Sequence, residues 1–381
     1  MFEKVLIANR GEIAVRIIRA CNDLHIKSVA IYSRIDKESM HVKMASESHE
    51  VSTDPLKAYL DGDAIIEVAL SCGAEAIHPG YGFLSENAEF AKKVSDAGLI
   101  WIGPDSSVIA MMGDKKAARE LMQKNGIPIV PGTGIINHCS IQEIKAMANK
   151  IGYPVILKAS NGGGGRGIRV VRNDSEIEES LNACKREAMA FFKNDDVFME
   201  KYIENPKHIE FQIIGDNYGN IIHLLERDCS IQRRHQKLVE IAPSPTMSLD
   251  LRRRMGSVAV AAAKAAKYTN AGTIEFLVDD LGRFYFMEMN TRIQVEHGIT
   301  EEITGFDLIG RQIRCAAGEI LDLTQSEVLH QGYAIEVRIN AEDVANDFKP
   351  NPGKITTYYP ALGPFVRIDS AVYKDYTIPP N

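Results

Sequence analysis

Apolar runs of strand length, spaced by helix-length amphipathic stretches, occupy roughly the first hundred residues, and this alternation limits the possible folds most. Val5-Leu6-Ile7-Ala8 reads as a buried strand and Asn9-Arg10-Gly11 as the turn after it. Ile13, Ile17, Ala20 and Leu24 then fall on one face of a helix. Val29-Ala30-Ile31-Tyr32, Ala76-Ile77-His78 and Leu99-Ile100-Trp101-Ile102 are further strands, with helices over 64–72 and 87–97 between them. Strands rejoined in parallel through helical crossovers make a doubly wound α/β sheet with helices on both faces.

The pattern then changes twice. Residues 126–134, Gly-Ile-Pro-Ile-Val-Pro-Gly-Thr-Gly, are dense in proline and glycine and mark a boundary. Beyond it, strands at 155–159 and 168–172 flank a glycine run, and a helix over 175–192 and a strand over 197–201 complete a small α+β unit. From His208 the pattern is antiparallel: a hairpin of 208–214 and 221–226, a helix over 250–268, then a hairpin of 273–278 and 284–289. A length of 381 residues suits two or three domains.

Composition excludes some classes. With 45% hydrophobic and 25% charged residues the chain reads as soluble and globular, and a net charge of −7 argues against a nucleic-acid surface. The six cysteines stand singly, which suits free thiols in a reducing compartment rather than disulfides or a zinc site. The first residues show no signal-peptide pattern, and the most apolar helical stretch, near 258–266, is short and carries Lys264. A cytoplasmic protein that touches neither membrane nor nucleic acid is expected.

Chemistry concentrates in three places. Asn161-Gly-Gly-Gly-Gly-Arg-Gly167 joins two strands, and its backbone N–H groups can cradle an anion, with Lys158 just before it and Arg166 within it to supply charge. A plain flexible hairpin loop is the alternative. In the later hairpin, a turn centred between Leu281 and Gly282 would put Glu275 directly opposite Glu288, where like charges are unfavourable unless a divalent cation lies between them. The alternative there is a solvated acidic face.

The third place runs on from that hairpin. In Glu288-Met-Asn-Thr-Arg-Ile-Gln-Val-Glu-His297 every even position is polar, so an extended chain would carry Glu288, Asn290, Arg292, Gln294 and Glu296 on one face. The Arg292 fork suits a small planar oxyanion, and Glu296 beside it could take a proton from that anion. Glu336, Arg338 and Asn340 repeat the alternation in 333–340. In the basic run 232–237, His235 and Lys237 are candidates for ATP or the anion. His78, just past a strand end, is either a ligand-side residue or structural.

Together these residues resemble biotin carboxylase, the first-step component of biotin-dependent carboxylases acting on acetyl-CoA, propionyl-CoA or pyruvate. The resemblance runs from Lys4 to Pro380 and rests on residues 7–14, 78–87, 112–115, 158–167, 226–237, 288–297 and 338–343. It implies a Rossmann-like N-terminal domain over 1–113 (the pre-ATP-grasp α/β sheet) and a helical linker over 114–131. An α+β ATP-grasp lid over 132–202 and the ATP-grasp body with a C-terminal domain over 203–381 follow. Family members continue for several tens of residues past the position of Asn381, so the last domain is expected to be incomplete, and Gly298 replaces a usual Pro or Thr and is expected to loosen its loop.

Carried over position by position, the resemblance implies that Lys115, Lys158, Glu200, His208 and His235 bind ATP under a lid loop of Gly163, Gly164, Gly165, Arg166 and Gly167. Glu275 and Glu288 would hold Mg²⁺ or Mn²⁺, with Asn290 beside them. Lys237, Arg292, Gln294 and the backbone of Val295 would hold bicarbonate, Glu296 would deprotonate it, and Arg338 would stabilise the biotin enolate. The implied partners are a biotin carboxyl carrier protein or domain, a carboxyltransferase and, in full-length form, a second copy of the chain. The competing readings are another ATP-grasp ligase, which lacks the Arg292-to-Glu296 face joined to Arg338, and a nucleotide-binding module without turnover.

Overall fold

A computed structural model describes residues 1–55, 57–159, 167–192, 194–234 and 236–380. They form two compact units. One comprises 1–125, 208–275 and 288–381, the other 126–207 and 276–287.

The first unit opens with β1 (Lys4–Ile7), β2 (Lys27–Ser33), β3 (Glu47–Ser52), β4 (Ala76–His78) and β5 (Ile100–Trp101), a parallel sheet in the order β3-β2-β1-β4-β5. Its helices are α1 (Gly11–Asp23), α2 (Met40–Met44), α3 (Lys57–Leu60), α4 (Gly62–Ser71), α5 (Ala88–Asp96), α6 (Ser106–Gly113) and α7 (Lys115–Lys124). Successive residues of β1 serve opposite cores. Val5 and Ile7 pack with Ile13 and Ile17 of α1, while Leu6 and Ala8 pack with Tyr59, Ile65 and Phe90 of α3, α4 and α5. A strand covered on both faces has no polar position, which is why it reads as a continuous apolar run. Asp61 and Asn87 fix the starts of α4 and α5 by accepting the N–H groups of Ala64 and Phe90. The edge strand β3, Glu-Ser-His-Glu-Val-Ser, has no apolar run to announce it.

In the second unit β6 (Gly132–Ile135), β7 (Val155–Ala159), β8 (Ile168–Val171) and β9 (Val197–Lys201) form a sheet in the order β6-β9-β7-β8. Helices α8 (Ile141–Ile151) and α9 (Ile177–Phe192) cover one face through Val155, Leu157, Val197 and Met199. The alternate residues Lys158 and Glu200 therefore share the opposite face.

The chain continues with β10 (Lys207–Gly215), β11 (Ile221–Arg233), β12 (Gln236–Ala242), α10 (Leu249–Ala265), β13 (Asn270–Val278), β14 (Phe284–Asn290), α11 (His297–Thr304), α12 (Leu308–Ala316) and β15 (Ala334–Val337), of which residues 276–287 of the β13–β14 hairpin belong to the second unit and nearly all the rest to the first. The strands make one sheet in the order β14-β13-β10-β11-β12-β15. Later come a 3₁₀ turn over Val344–Asn346 and the two-residue ladders β16 (Glu342–Asp343) with β17 (Lys349–Pro350) and β18 (Gly353–Lys354) with β19 (Thr377–Ile378). Among the described residues no helix is long and apolar enough to cross a membrane.

Candidate active site

The six-stranded sheet carries a cluster of buried charges. On β10 the odd residues Ile209, Phe211 and Ile213 are apolar, while His208, Glu210 and Gln212 face the other way. Glu210 pairs in register with Arg227 of β11, whose Nε donates to its Oε1 at 2.5 Å; both side chains are fully buried. The guanidinium also donates to Gln212 Oε1 (2.8 Å) and Thr300 Oγ1 (2.9 Å). A buried charge needs such partners, since an unpaired one is costly.

Lys237 stands at the centre. Gln232 pairs with Lys237 but Ile231 with Val239, which leaves Leu238 without a partner on β11. The extra residue is a bulge, and it turns Lys237 and Glu240, three apart on β12, to the same side. The Lys237 ammonium donates to Glu210 (2.5 Å), Glu275 (2.9 Å) and Glu296 (2.8 Å). Burial works against its charge, but these carboxylates hold its pKa far above the ordinary lysine range.

Glu275, on β13, also accepts from His208 Nε2 (2.6 Å) and Asn290 Nδ2 (2.7 Å). Burial opposes its ionisation, yet His208 and Lys237 hold it down to about 2. The Gln232 amide donates to His208 Nδ1 at 3.1 Å, which leaves the Nε2 proton for Glu275. The hairpin tip differs from the expected one. Asp279 N–H donates to the Arg283 carbonyl and Gly282 N–H to the Asp279 carbonyl, so the tip pairs 279 with 283. The two carboxylates still feel each other: burial and then the Glu275 charge raise the pKa of half-buried Glu288, which Lys115 at the start of α7 lowers. Two carboxylates and an amide oxygen, with a repulsion left for a cation to relieve, fit Mg²⁺.

Beyond Asn290 the chain does not stay extended. β14 ends there, residues 291–296 turn, and α11 begins at His297 with Glu296 as its N-cap. The five polar residues converge by this turn rather than by strand alternation. Arg292 donates to Gln294 Oε1 (2.9 Å), to Asn290 Oδ1 (3.4 Å) and, through Nε, to Glu86 (2.9 Å). Half-buried Val295 offers its carbonyl to His297 Nδ1 at 3.1 Å. Glu296 is fully buried; Lys237 donates to its Oε1 and Arg338 to its Oε2, the latter at 2.9 Å. Arg338 also donates to Glu240 Oε1 at 2.9 Å. Gly298 lies inside α11, not in a loop, and an added Cβ would come no closer than 3.5 Å, to Arg367 Cζ.

The remaining candidates divide. In the second unit, Lys158 donates to Glu200 at 2.8 Å. Gly167 donates its N–H to Glu187 (3.2 Å) and accepts Cys184 Sγ (3.0 Å). Gly163, Gly164, Gly165, Arg166 and His235 lie outside the described residues. The basic run is a β11–β12 hairpin whose charges diverge: Lys237 enters the cluster, whereas Arg233 pairs with Glu342 (2.6 Å) and stacks on Phe348. His78 is buried and structural; its Nδ1 accepts the Gly80 N–H, and burial presses its pKa down to about 3. Sequence reasoning missed Glu86, Glu210, Arg227 and Glu240. The period-two set His208, Glu210, Gln212 inside an apolar strand was the available signal for Glu210.

Whole-chain comparison places the chain among known proteins. A family model for the biotin carboxylase N-terminal domain matches residues 1–109, one for the ATP-binding domain of the carbamoyl-phosphate synthase L chain matches 114–324, and one for the biotin carboxylase C-terminal domain matches 336–381. The biotin carboxylase of Nostoc sp. is 56% identical over 381 residues, covering 100% of this chain and 85% of that one. The chain belongs to the biotin carboxylase family. A pyruvate carboxylase subunit of Methanothermobacter thermautotrophicus is 53% identical over 100% of this chain and 77% of its own. The solved biotin carboxylase domain dimer of Hydrogenobacter thermophilus 2-oxoglutarate carboxylase, in complex with MgADP, ADP and bicarbonate, matches with a TM-score of 0.87 and 53% identity, over 100% of this chain and 84% of that one. As in other biotin carboxylases, a parallel-sheet domain precedes the ATP-grasp elements.

Proposed function

We propose that the chain uses ATP and bicarbonate to carboxylate biotin on a carrier protein, the first half-reaction of a biotin-dependent carboxylase, and that the Lys237–Glu296–Arg338 cluster performs it. The observation that carries this reading is Glu296, buried and held by a cation at each oxygen, with Arg292 and Gln294 two and four residues away. Two such hydrogen bonds fix the carboxylate while each oxygen keeps a lone pair for an incoming proton.

Lys237, Arg292, Gln294 and the backbone of Val295 bind bicarbonate, whose O–H proton passes to Glu296 as its oxygen attacks the γ-phosphorus. ADP leaves, and carboxyphosphate breaks down to CO₂ and phosphate, which takes the ureido N–H proton of biotin. Arg338 stabilises the enolate of deprotonated biotin, whose ureido nitrogen takes up the CO₂. The resemblance assigns ATP binding to Lys115 and His208 in the first unit and to Lys158, Glu200 and Gly167 in the second. Glu275 and Glu288, with Asn290 alongside, would hold Mg²⁺, which when bound neutralises phosphate charge. Phosphoryl transfer depends mainly on such positioning and neutralisation.

The biotin carrier and the carboxyltransferase are the expected partners and a second copy of the chain the expected assembly; the six free thiols suit a reducing, cytoplasmic setting. The test is ADP release dependent on both bicarbonate and biotin. Glu296→Gln should abolish it while nucleotide affinity stays within about 2-fold, since the group removes a proton and touches no phosphate. Intact bicarbonate-dependent turnover in Glu296→Gln would overturn the assignment.

A further inference from the structure

Glu240 and Glu336 face each other directly where β12 pairs with β15. Directly opposed side chains have Cβ atoms about 5 Å apart. Glu240 is fully buried, and Glu336 lies in the inner, half-buried row of its strand, whose outer row is Ile335, Val337 and Ile339. Arg338 satisfies Glu240 Oε1, but Glu240 Oε2 is buried with no hydrogen-bond partner among the described residues. Two ionised carboxylates so placed repel each other, and one of them carries an oxygen stripped of both water and donors. A single proton removes both penalties, because a neutral carboxyl has one O–H to donate and Glu240 Oε2 is the acceptor lacking a donor.

The surroundings favour that proton. Arg338, just past the end of β15, and Arg227 on β11 are the cations whose fields reach Glu336. Against them stand Glu296 at the N-cap of α11 and, for Glu240, Glu210 on β10. Glu12 on α1 also faces Arg338, with Asp369 beside it. Burial raises Glu240, against the pull of Arg338 and with Glu296 adding, to about 7. Burial, Glu240 and Glu296 raise Glu336 to about 8.

We propose that Glu240 and Glu336 share one proton, carried by Glu336 and donated to Oε2 of Glu240, and that the remaining single charge positions Arg338 for biotin. This rests on the biotin-carboxylating reading of the site. Loss of the proton at higher pH adds a second charge to the strand pair. Arg338 is then drawn toward the pair and away from its ligand, so the KM for biotin rises while the KM for ATP does not.

The experiment follows KM and kcat for biotin, and KM for ATP, from neutral to alkaline pH in the wild type, Glu336→Gln and Glu240→Gln. Infrared difference spectra of the same full chains report the C=O stretch of a protonated carboxyl. The expected results are a wild-type biotin KM that climbs about 10-fold with pH, and loss of that climb together with the carboxyl band in Glu336→Gln. In Glu240→Gln the biotin KM should already be raised about 10-fold at neutral pH, the scale of one charge-assisted hydrogen bond. A Glu336→Gln profile that superimposes on the wild type, or a band unaffected by either variant, overturns the shared proton. If Glu336→Gln does not fold, the band in wild type against Glu240→Gln decides. If the wild type makes no carboxybiotin at all, the functional reading fails, and the band still decides whether the proton is there.

Discussion

On and just past β1, Val5 to Ala8 alternate between two apolar cores; on β10, Ile209 to Ile213 alternate between an apolar core and a row of polar and charged groups. Both strands are buried on both faces, but the parallel sheet is stabilised by area removed from water and the second sheet by charges that must be complete. Loss of a methylene group from the first leaves a cavity, which costs in proportion to its size. Loss of a cation from the second leaves buried carboxylates short of a charge partner, a large penalty that also falls on the chemistry.

The largest expected effect tests the ionic side of this contrast. Lys237→Met keeps most of the volume but deprives Glu210, Glu275 and Glu296 of their common donor. Biotin carboxylation should fall by about 10³-fold or more, on the scale seen when a positioned charge is removed from an active site. Assay of carboxybiotin at saturating ATP and bicarbonate checks this, and a loss under 10-fold would mean that the cluster is structural only. Next comes Arg227→Met, expected to destabilise by about 3 kcal/mol because it leaves buried Glu210 with Lys237 as its remaining cation; denaturant midpoints measure it.

That second variant also carries a pH signature. Burial opposes the Glu210 charge, but Arg227 and Lys237 lower its pKa to about 2 from an ordinary 4.5. A depressed carboxylate stabilises the fold above its unfolded pKa and loses that contribution as pH falls. The wild type should therefore weaken progressively from about pH 4.5 towards 2, and Arg227→Met should show a flatter acid limb. Parallel acid limbs would remove Glu210 as the cause.

The apolar sheet was legible, β3 apart, because its strands carry apolar runs, and the polar residues at 288–296 because charged side chains at period two do not occur by burial alone. What stayed hidden was set by irregular backbone. The turn after Asn290 that gathers Arg292, Gln294 and Glu296, the bulge at Leu238 that aims Lys237 and Glu240 together, and the 279–283 tip each alter a register by a residue or so, and residue spacing in the sequence carries no mark of that. Arg227 and Glu240 were invisible for a related reason, since only the fold places them beside their partners.

On the apolar side, Leu6→Ala should cost about 3 kcal/mol, within the range for a fully buried leucine. The loss should stay the same across pH 5–8 because no charge lies in that core, and urea melts at several pH values check both parts. A pH-dependent loss would mean that the two sheets are not separable in the way argued.

The smallest effect concerns the one polar knot at the rim of the apolar sheet. Asp36 accepts from Tyr59 Oη (2.7 Å), Ser33 Oγ (3.1 Å), Ser39 Oγ (3.2 Å) and the Arg10 guanidinium (2.5 and 3.0 Å). Tyr59 is nearly inaccessible, and its ring packs in the same core as Leu6. Tyr59→Phe keeps the ring and deletes a single donor, and the carboxylate retains Arg10 and both serines. About 1 kcal/mol should be lost, the net worth of one hydrogen bond to a group that stays satisfied. Arg10→Met removes the charged partner instead and should cost more. The double variant should lose less than the sum of the two single losses, because once the cation is gone Asp36 can take up a proton and the tyrosine no longer faces a full charge. A Tyr59→Phe loss as large as that of Arg227→Met would mean that the N-terminal sheet also depends on a complete set of charge partners, and the contrast between the two sheets would fail.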